Sequence, residues 1–118
     1  MSDIPPSFRL SEPADFGVDI TSDGGDVVVV VRGELDVLTA PFLWERMEPA
    51  LAAVTGKLVF DFAELTFIDS MGLGVIVRAQ SRLRGERPAG QIVVRHLNAH
   101  ARKVFEITGL DRVLDIQS

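Results

Sequence analysis

Five consecutive valines, Val27–Val31, restrict the fold of this chain more than any other feature. β-branched side chains lose rotamer freedom in a helix and pack well on a pleated surface. The run is therefore read as a strand, and its lack of polar alternation predicts cover on both faces of a sheet. Upstream, Phe16, Val18 and Ile20 alternate with Gly17 and Asp19, the period of a half-buried strand. Thr21-Ser22-Asp23-Gly24-Gly25-Asp26 between them is a turn cluster, so the two strands are expected to form a hairpin.

After the valines the period changes. Gly33-Glu34-Leu35-Asp36 is expected to leave the sheet, with Thr39 as N-cap and Pro41 in the first turn of a helix. Ala40, Leu43, Met47, Ala50, Leu51 and Val54 then fall on one helical face, and Gly56 is expected to end that helix as a left-handed cap. Lys57–Phe62 reads as a strand. Met71 to about Leu83 reads as a second helix with Leu73, Ile76, Ala79 and Leu83 inward. Gly85–Gly90 is a turn and Gln91–Arg95 a further strand. Asn98 caps a third helix carrying Ala101, Val104 and Phe105 inward, and Gly109 ends it. Asp111–Ser118 is either a short strand or a turn of helix. The order β, β, α, β, α, β, α implies a mixed α/β sheet, mostly parallel with one antiparallel N-terminal strand and crossover helices.

At 118 residues the chain suits one domain with a sufficient core. Residues 1 to about 14, broken by Pro5, Pro6 and Pro13, read as a loose arm, leaving residues 15–118 for the domain. A net charge of -5 argues against direct nucleic-acid binding and against anionic membranes. There is no cysteine, so disulfides and thiolate metal sites are excluded. No apolar run approaches the roughly 20 residues of a membrane span, and the N-terminus lacks the pattern of a secretory signal. A cytoplasmic protein is expected.

The motif with most chemical content is Ile68-Asp69-Ser70-Met71-Gly72-Leu73-Gly74, at a strand-to-helix junction. Backbone N–H groups at a helix start are free, and the dipole there favours negative charge. Ser70 is thus either a phosphate acceptor or simply the helix cap. No catalytic residue is assigned. Ser70 lacks the Gly-x-Ser-x-Gly elbow and an identifiable base. Asp36, Asp61 and Asp69 have no recognisable pocket for acid–base work. His96 and His100 lack a third metal ligand and do not share a helix face. No dinucleotide or phosphate-loop glycine pattern is present, so no cofactor is expected. Arg78, Arg82, Arg84 and Arg87 make the back of the second helix basic, ordinarily a solvated face. Phe42 and Trp44 either edge into the core or form an aromatic docking patch.

Gly33-Glu34-Leu35-Asp36 with Thr39-Ala40 resembles the Gly-Glu-Leu-Asp…Thr-Ala segment of STAS domains. Val59-Phe60-Asp61-Phe62…Phe67-Ile68-Asp69-Ser70-Met71-Gly72-Leu73-Gly74 resembles their central strand and phosphorylation loop, and Thr108-Gly109-Leu110 their third-helix ending. The resemblance covers roughly residues 15–116 and is to the short, free-standing bacterial anti-sigma-factor antagonists. Two departures are Met71, where the family usually has a second Ser or Thr, and the missing final helix.

The resemblance implies a non-enzymatic regulator of transcription in a stress response. Unphosphorylated, it would bind an anti-sigma factor that is also a serine kinase and release a sigma factor. Phosphorylation at Ser70 would switch binding off, and a serine phosphatase would reset it. Gly33, Glu34, Asp36, Asp69, Met71, Gly72 and Leu73 would contact the partner. The phosphate is expected to sit among carboxylates with no local arginine. The alternative is a structural STAS subunit of a lipid-transport or stress-signalling scaffold in which Ser70 has no switching role.

Overall fold

A computed structural model describes residues 15–86 and 91–117. The N-terminal arm, Arg87 and most of the Gly85–Gly90 turn lie outside the described residues. β1 (Gly17–Asp23) and β2 (Asp26–Leu35) form the hairpin, joined by Gly24 and Gly25 at φ 59° and 98°. Both central residues of such a two-residue turn need positive φ, which glycine adopts without a Cβ clash. Then follow α1 (Ala40–Met47), a 3₁₀ turn (Glu48–Ala53), β3 (Lys57–Asp61), β4 (Leu65–Ile68), α2 (Ser70–Glu86), β5 (Gln91–Arg95), α3 (Ala99–Thr108), a second 3₁₀ turn (Leu110–Arg112) and β6 (Asp115–Gln117).

The sheet runs β1-β2-β3-β5-β6, with β1 antiparallel to β2 and every other pairing parallel. From β2 onward each of these crossovers steps in the same direction. Right-handed crossovers that always step one way put their helices on one side of the sheet. Burial follows this rule. Val27, Val29 and Val31 are fully buried, whereas Val28 and Val30 are only half-buried. One apolar core joins the first set to Leu58, Phe60, Ile92 and Val94 and to the inner faces of α1, α2 and α3. The valine run is thus covered by helices on one face, not two as its composition predicts.

The first helix is shorter than its stripe predicts. Pro49 cannot donate the amide an α-helix needs there, and after Met47 the chain continues as a 3₁₀ turn to Ala53. Gly56 is not left-handed. Its amide, like that of Thr55, donates to the Gly25 carbonyl at 2.9 Å, tying the helix exit to the hairpin. The third helix ends as expected. Asn98 Oδ1 accepts from the Ala101 amide at 2.8 Å, and Gly109 adopts φ 77°. The last segment resolves as a strand, β6, beside β5.

β4 is not anticipated by the sequence reading. It pairs in parallel with the far end of β2, matching Gly33 to Leu65, Glu34 to Phe67 and Leu35 to Ile68 across a bulge at Gly33/Glu34. Gly33–Leu35 therefore remains in the sheet rather than leaving it. Gly33 has φ 92°, and a Cβ there would lie 2.5 Å from the Asp15 carbonyl oxygen, so both conformation and space require glycine.

Candidate functional site

The last rung of the β2–β4 pair, Leu35 opposite Ile68, sets the site. Parallel strands end on the same sheet edge, so Asp36 and Asp69 emerge side by side. Backbone bonds lock the two loops together: the Asp69 amide donates to the Leu35 carbonyl at 3.2 Å. Gly72 closes the junction from above. A Cβ at that position would stand 2.7 Å from Leu35 Cγ and 2.8 Å from the Leu35 carbonyl oxygen. Only a bare backbone lets α2 approach so closely.

Each loop uses its aspartate to hold itself. Asp36 Oδ1 accepts from the amides of Leu38, at 2.9 Å, and Thr39, at 3.2 Å. Thr39 is not a side-chain cap of α1. Its buried hydroxyl accepts from the Asp36 amide at 2.9 Å and donates to the Glu34 carbonyl at 2.7 Å. Asp69 Oδ1 accepts from the amides of Met71, at 2.9 Å, and Gly72, at 3.1 Å, and its carbonyl receives the Leu73 amide at 3.0 Å. Asp69 is therefore the N-cap of α2, worth about 1 kcal/mol, in place of the predicted Ser70. Ser70 occupies the first helical position, exposed, with its hydroxyl free of hydrogen bonds to other described residues.

The predicted residues do converge. Ser70, Met71 and Glu34 are exposed, Gly33, Asp36 and Asp69 half-buried, and Gly72 and Leu73 buried. The last two support the surface from beneath. Sequence reasoning singled out Met71 but not Val37, Leu38 and Phe67, which are apolar and exposed as it is. Phe67 stacks on His100 with ring centroids 5.4 Å apart. Val37 and Leu38 could have been noticed as apolar residues outside the stripe of α1.

Two hollows flank the loops. One, about 570 Å³, is lined by Asp15, Glu34, Asp36 and Glu64 together with Arg32 and Leu38. Arg32 is already paired with Asp19. The other, about 550 Å³, runs between α1 and α2 and is lined by Trp44, Glu45, Ser70, Met71, Gly74 and Arg78. Trp44 neither enters the core fully nor stands free. The Arg78 guanidinium lies 4.0 Å from its ring centroid and that of Arg82 5.6 Å, a cation–π bracket across the helix pair. An arginine therefore does share a cavity with Ser70, contrary to the expectation of a site without one.

Asp61 is held in a cluster with His96 and Arg95. Asp61 Oδ1 receives the Ala63 amide at 3.0 Å and lies 2.9 Å from His96 Nδ1, and Oδ2 lies 3.4 Å from Arg95 Nε. Burial pushes the Asp61 pKa up, but the bonds to His96 and Ala63 and the charges of His96 and Arg95 outweigh it, leaving the carboxyl below its usual value. Among the described residues no three His, Asp or Glu side chains are placed to hold a metal ion, and no helix is long and apolar enough to cross a membrane.

Residues 18–116 match the family described as "Mlab, STAS domain". The chain is 31% identical over 104 residues to the anti-sigma-B factor antagonist of Bacillus subtilis, covering 88% of this chain and 93% of that protein. An anti-sigma factor antagonist from Mycobacterium paratuberculosis superposes with a TM-score of 0.75 at 28% identity, over 91% of this chain and 89% of that one. SpoIIAA from Bacillus superposes at 27% identity in both of its solved states. The TM-score is 0.71 for the unphosphorylated form, over 87% of this chain and 88% of that one. It is 0.64 for the phosphorylated form, over 87% and 91%. The fold, the order of elements and these likenesses agree: the chain belongs to the STAS domain family, alongside the anti-sigma-factor antagonists.

Proposed function

We propose that this protein is a cytoplasmic, non-enzymatic anti-sigma-factor antagonist that works by partner switching on Ser70. Unphosphorylated, it binds an anti-sigma factor that is also a serine kinase, and a sigma factor is released. The kinase transfers the γ-phosphoryl group of ATP to Ser70 Oγ; the hydroxyl proton passes to the kinase's base and ADP departs. A serine phosphatase hydrolyses the ester and resets the cycle. The single observation that carries this reading is the exposed, unbonded hydroxyl of Ser70 at the first position of α2, capped by Asp69.

Because Asp69 does the capping, modification of Ser70 sacrifices no structural hydrogen bond. The added charge, about -1.5 to -2, falls at a helix start where the domain tolerates it. A docked partner would have to desolvate that charge beside Asp36 and Asp69. Switching from 1:99 to 99:1 requires about 5.5 kcal/mol of differential affinity, and desolvating a phosphate beside two carboxylates at an interface is costly enough to supply it.

The test is to incubate the protein with a cognate kinase and ATP, and to map the label by mass spectrometry. Label on Ser70, with Ser70→Asp losing the kinase and Ser70→Ala keeping it, is the expected result. Label elsewhere or none would reject the switch. Unchanged partner binding by Ser70→Asp would favour a structural STAS subunit.

A further inference from the structure

The groove between α1 and α2 joins the candidate phosphate acceptor to an arginine resting on the chain's single tryptophan. We infer that Arg78 is the internal counter-ion of a phosphate on Ser70, and that Trp44 is where its guanidinium waits until the phosphate arrives. The inference rests on Ser70 being the modified residue and concerns what the modification then does within this chain.

Ser70, Gly74 and Arg78 follow one another at four-residue spacing along the exposed stripe of α2. Residues four apart on a helix are surface neighbours. A long helical side chain covers the turn N-terminal to its own Cα, which for Arg78 is the turn of Gly74. Gly74 contributes no side chain, and a Cβ built there meets nothing within 4 Å. Ser70 lies eight residues from Arg78, two turns and about 12 Å along the axis, and the bare turn of Gly74 between them leaves the guanidinium room to reach back toward it inside one hollow.

Competition for Arg78 is light. Glu45 and Glu48 line the same hollow, but Glu48 is held by Arg82 at 3.1 Å, and Glu45 forms no ion pair with Arg78 among the described residues. Among the described residues Arg78 forms no ion pair, and its one recorded partner is the Trp44 ring. A partly exposed cation–π contact is weaker than a charge-assisted hydrogen bond to a phosphate. Phosphorylation thus draws Arg78 off the ring and along the groove, and uncovers the part of the indole it rests on, with Arg82 still 5.6 Å from the ring centroid.

The experiment uses the full chain with phosphoserine installed at position 70 by codon reassignment, so that no kinase is needed. Two quantities are read: the second pKa of the phosphate by ³¹P NMR, and quenching of Trp44 fluorescence by acrylamide. The phosphate pKa is expected to be lower than in the phosphorylated Arg78→Gln protein by about half a unit or more, with Arg78→Lys restoring part of the shift. Trp44 quenching should rise on phosphorylation of the wild type and stay constant in Arg78→Gln. Equal phosphate pKa values, or indifference of Trp44 to phosphorylation, would overturn the inference. Should Arg78→Gln fold poorly, Gly74→Leu decides: it keeps the arginine but fills the path, and should abolish the shift. A kinase that ignores Ser70 defeats the proposed function while leaving this measurement intact.

Discussion

Asp69 caps α2 so that Ser70 need not. The carboxylate takes the amides of Met71 and Gly72, and the neighbouring hydroxyl is left to solvent. Asp69→Ala should therefore lower stability by about 1 kcal/mol, within the range for lost caps. Ser70→Ala should stay within about 0.5 kcal/mol of wild type. Urea unfolding of the two variants checks this, and a larger loss at Ser70 than at Asp69 would reverse the assignment of roles.

Two glycines of α2 should respond oppositely to alanine. Gly72→Ala places a methyl against the Leu35 backbone and Ile68, so the helix must lift from β2 and β4. About 1–3 kcal/mol of overpacking outweighs the helix preference of alanine. Gly74→Ala meets open space and should stabilise by about 0.5–1 kcal/mol. Thermal melts of the pair give the comparison directly; equal shifts would mean that close approach at Gly72 is not what selects glycine.

Partner binding should depend on apolar residues beside the serine loop. Leu38 is 68% exposed and Met71 52%, so neither owes its place to the core. Leu38→Ala and Met71→Ala should each weaken anti-sigma-factor binding by about 1 kcal/mol or more, several-fold in Kd. Stability should change by less than about 0.5 kcal/mol. Titration calorimetry against the unmodified protein measures the first and denaturation the second. Wild-type affinity in both variants would place the docking surface elsewhere.

Asp61 should contribute an acid-labile part of the stability. Its pKa in the folded chain lies below the usual 3.8. A depressed carboxylate stabilises the fold at every pH above its unfolded value, and that contribution fades as pH falls toward the folded value. The stability gap between wild type and Asp61→Asn should therefore narrow as pH falls below about pH 4. Urea titrations from pH 6 down to pH 2.5 would show it; a gap independent of pH would mean the lowered pKa carries no linkage.

Much of this architecture is legible in short stretches of sequence. The hairpin follows from an alternating strand, a Gly-Gly turn and the valines. The third helix is bounded by Asn98 and Gly109, whose side chain and φ act within four residues of themselves. The position of Ser70 at a helix start is readable for the same reason. Its role there is not, because a cap and the first helical residue differ by one position, and both Asp and Ser are good caps.

The sequence alone determined most of the strands and helices, though not β4 or the strand at the end of the chain, together with the mostly parallel sheet and the serine at one of its junctions, since periodicity and capping are local. Tertiary structure decided the rest. The pairing of β4 with the end of β2 depends on residues about thirty apart meeting across the Gly33 bulge. The one-sided cover of Val27–Val31 depends on every crossover stepping the same way, and the bracket of Trp44 by Arg78 and Arg82 on how α1 lies against α2. Such contacts are selected by the packing of the whole core, which no window of neighbouring residues contains.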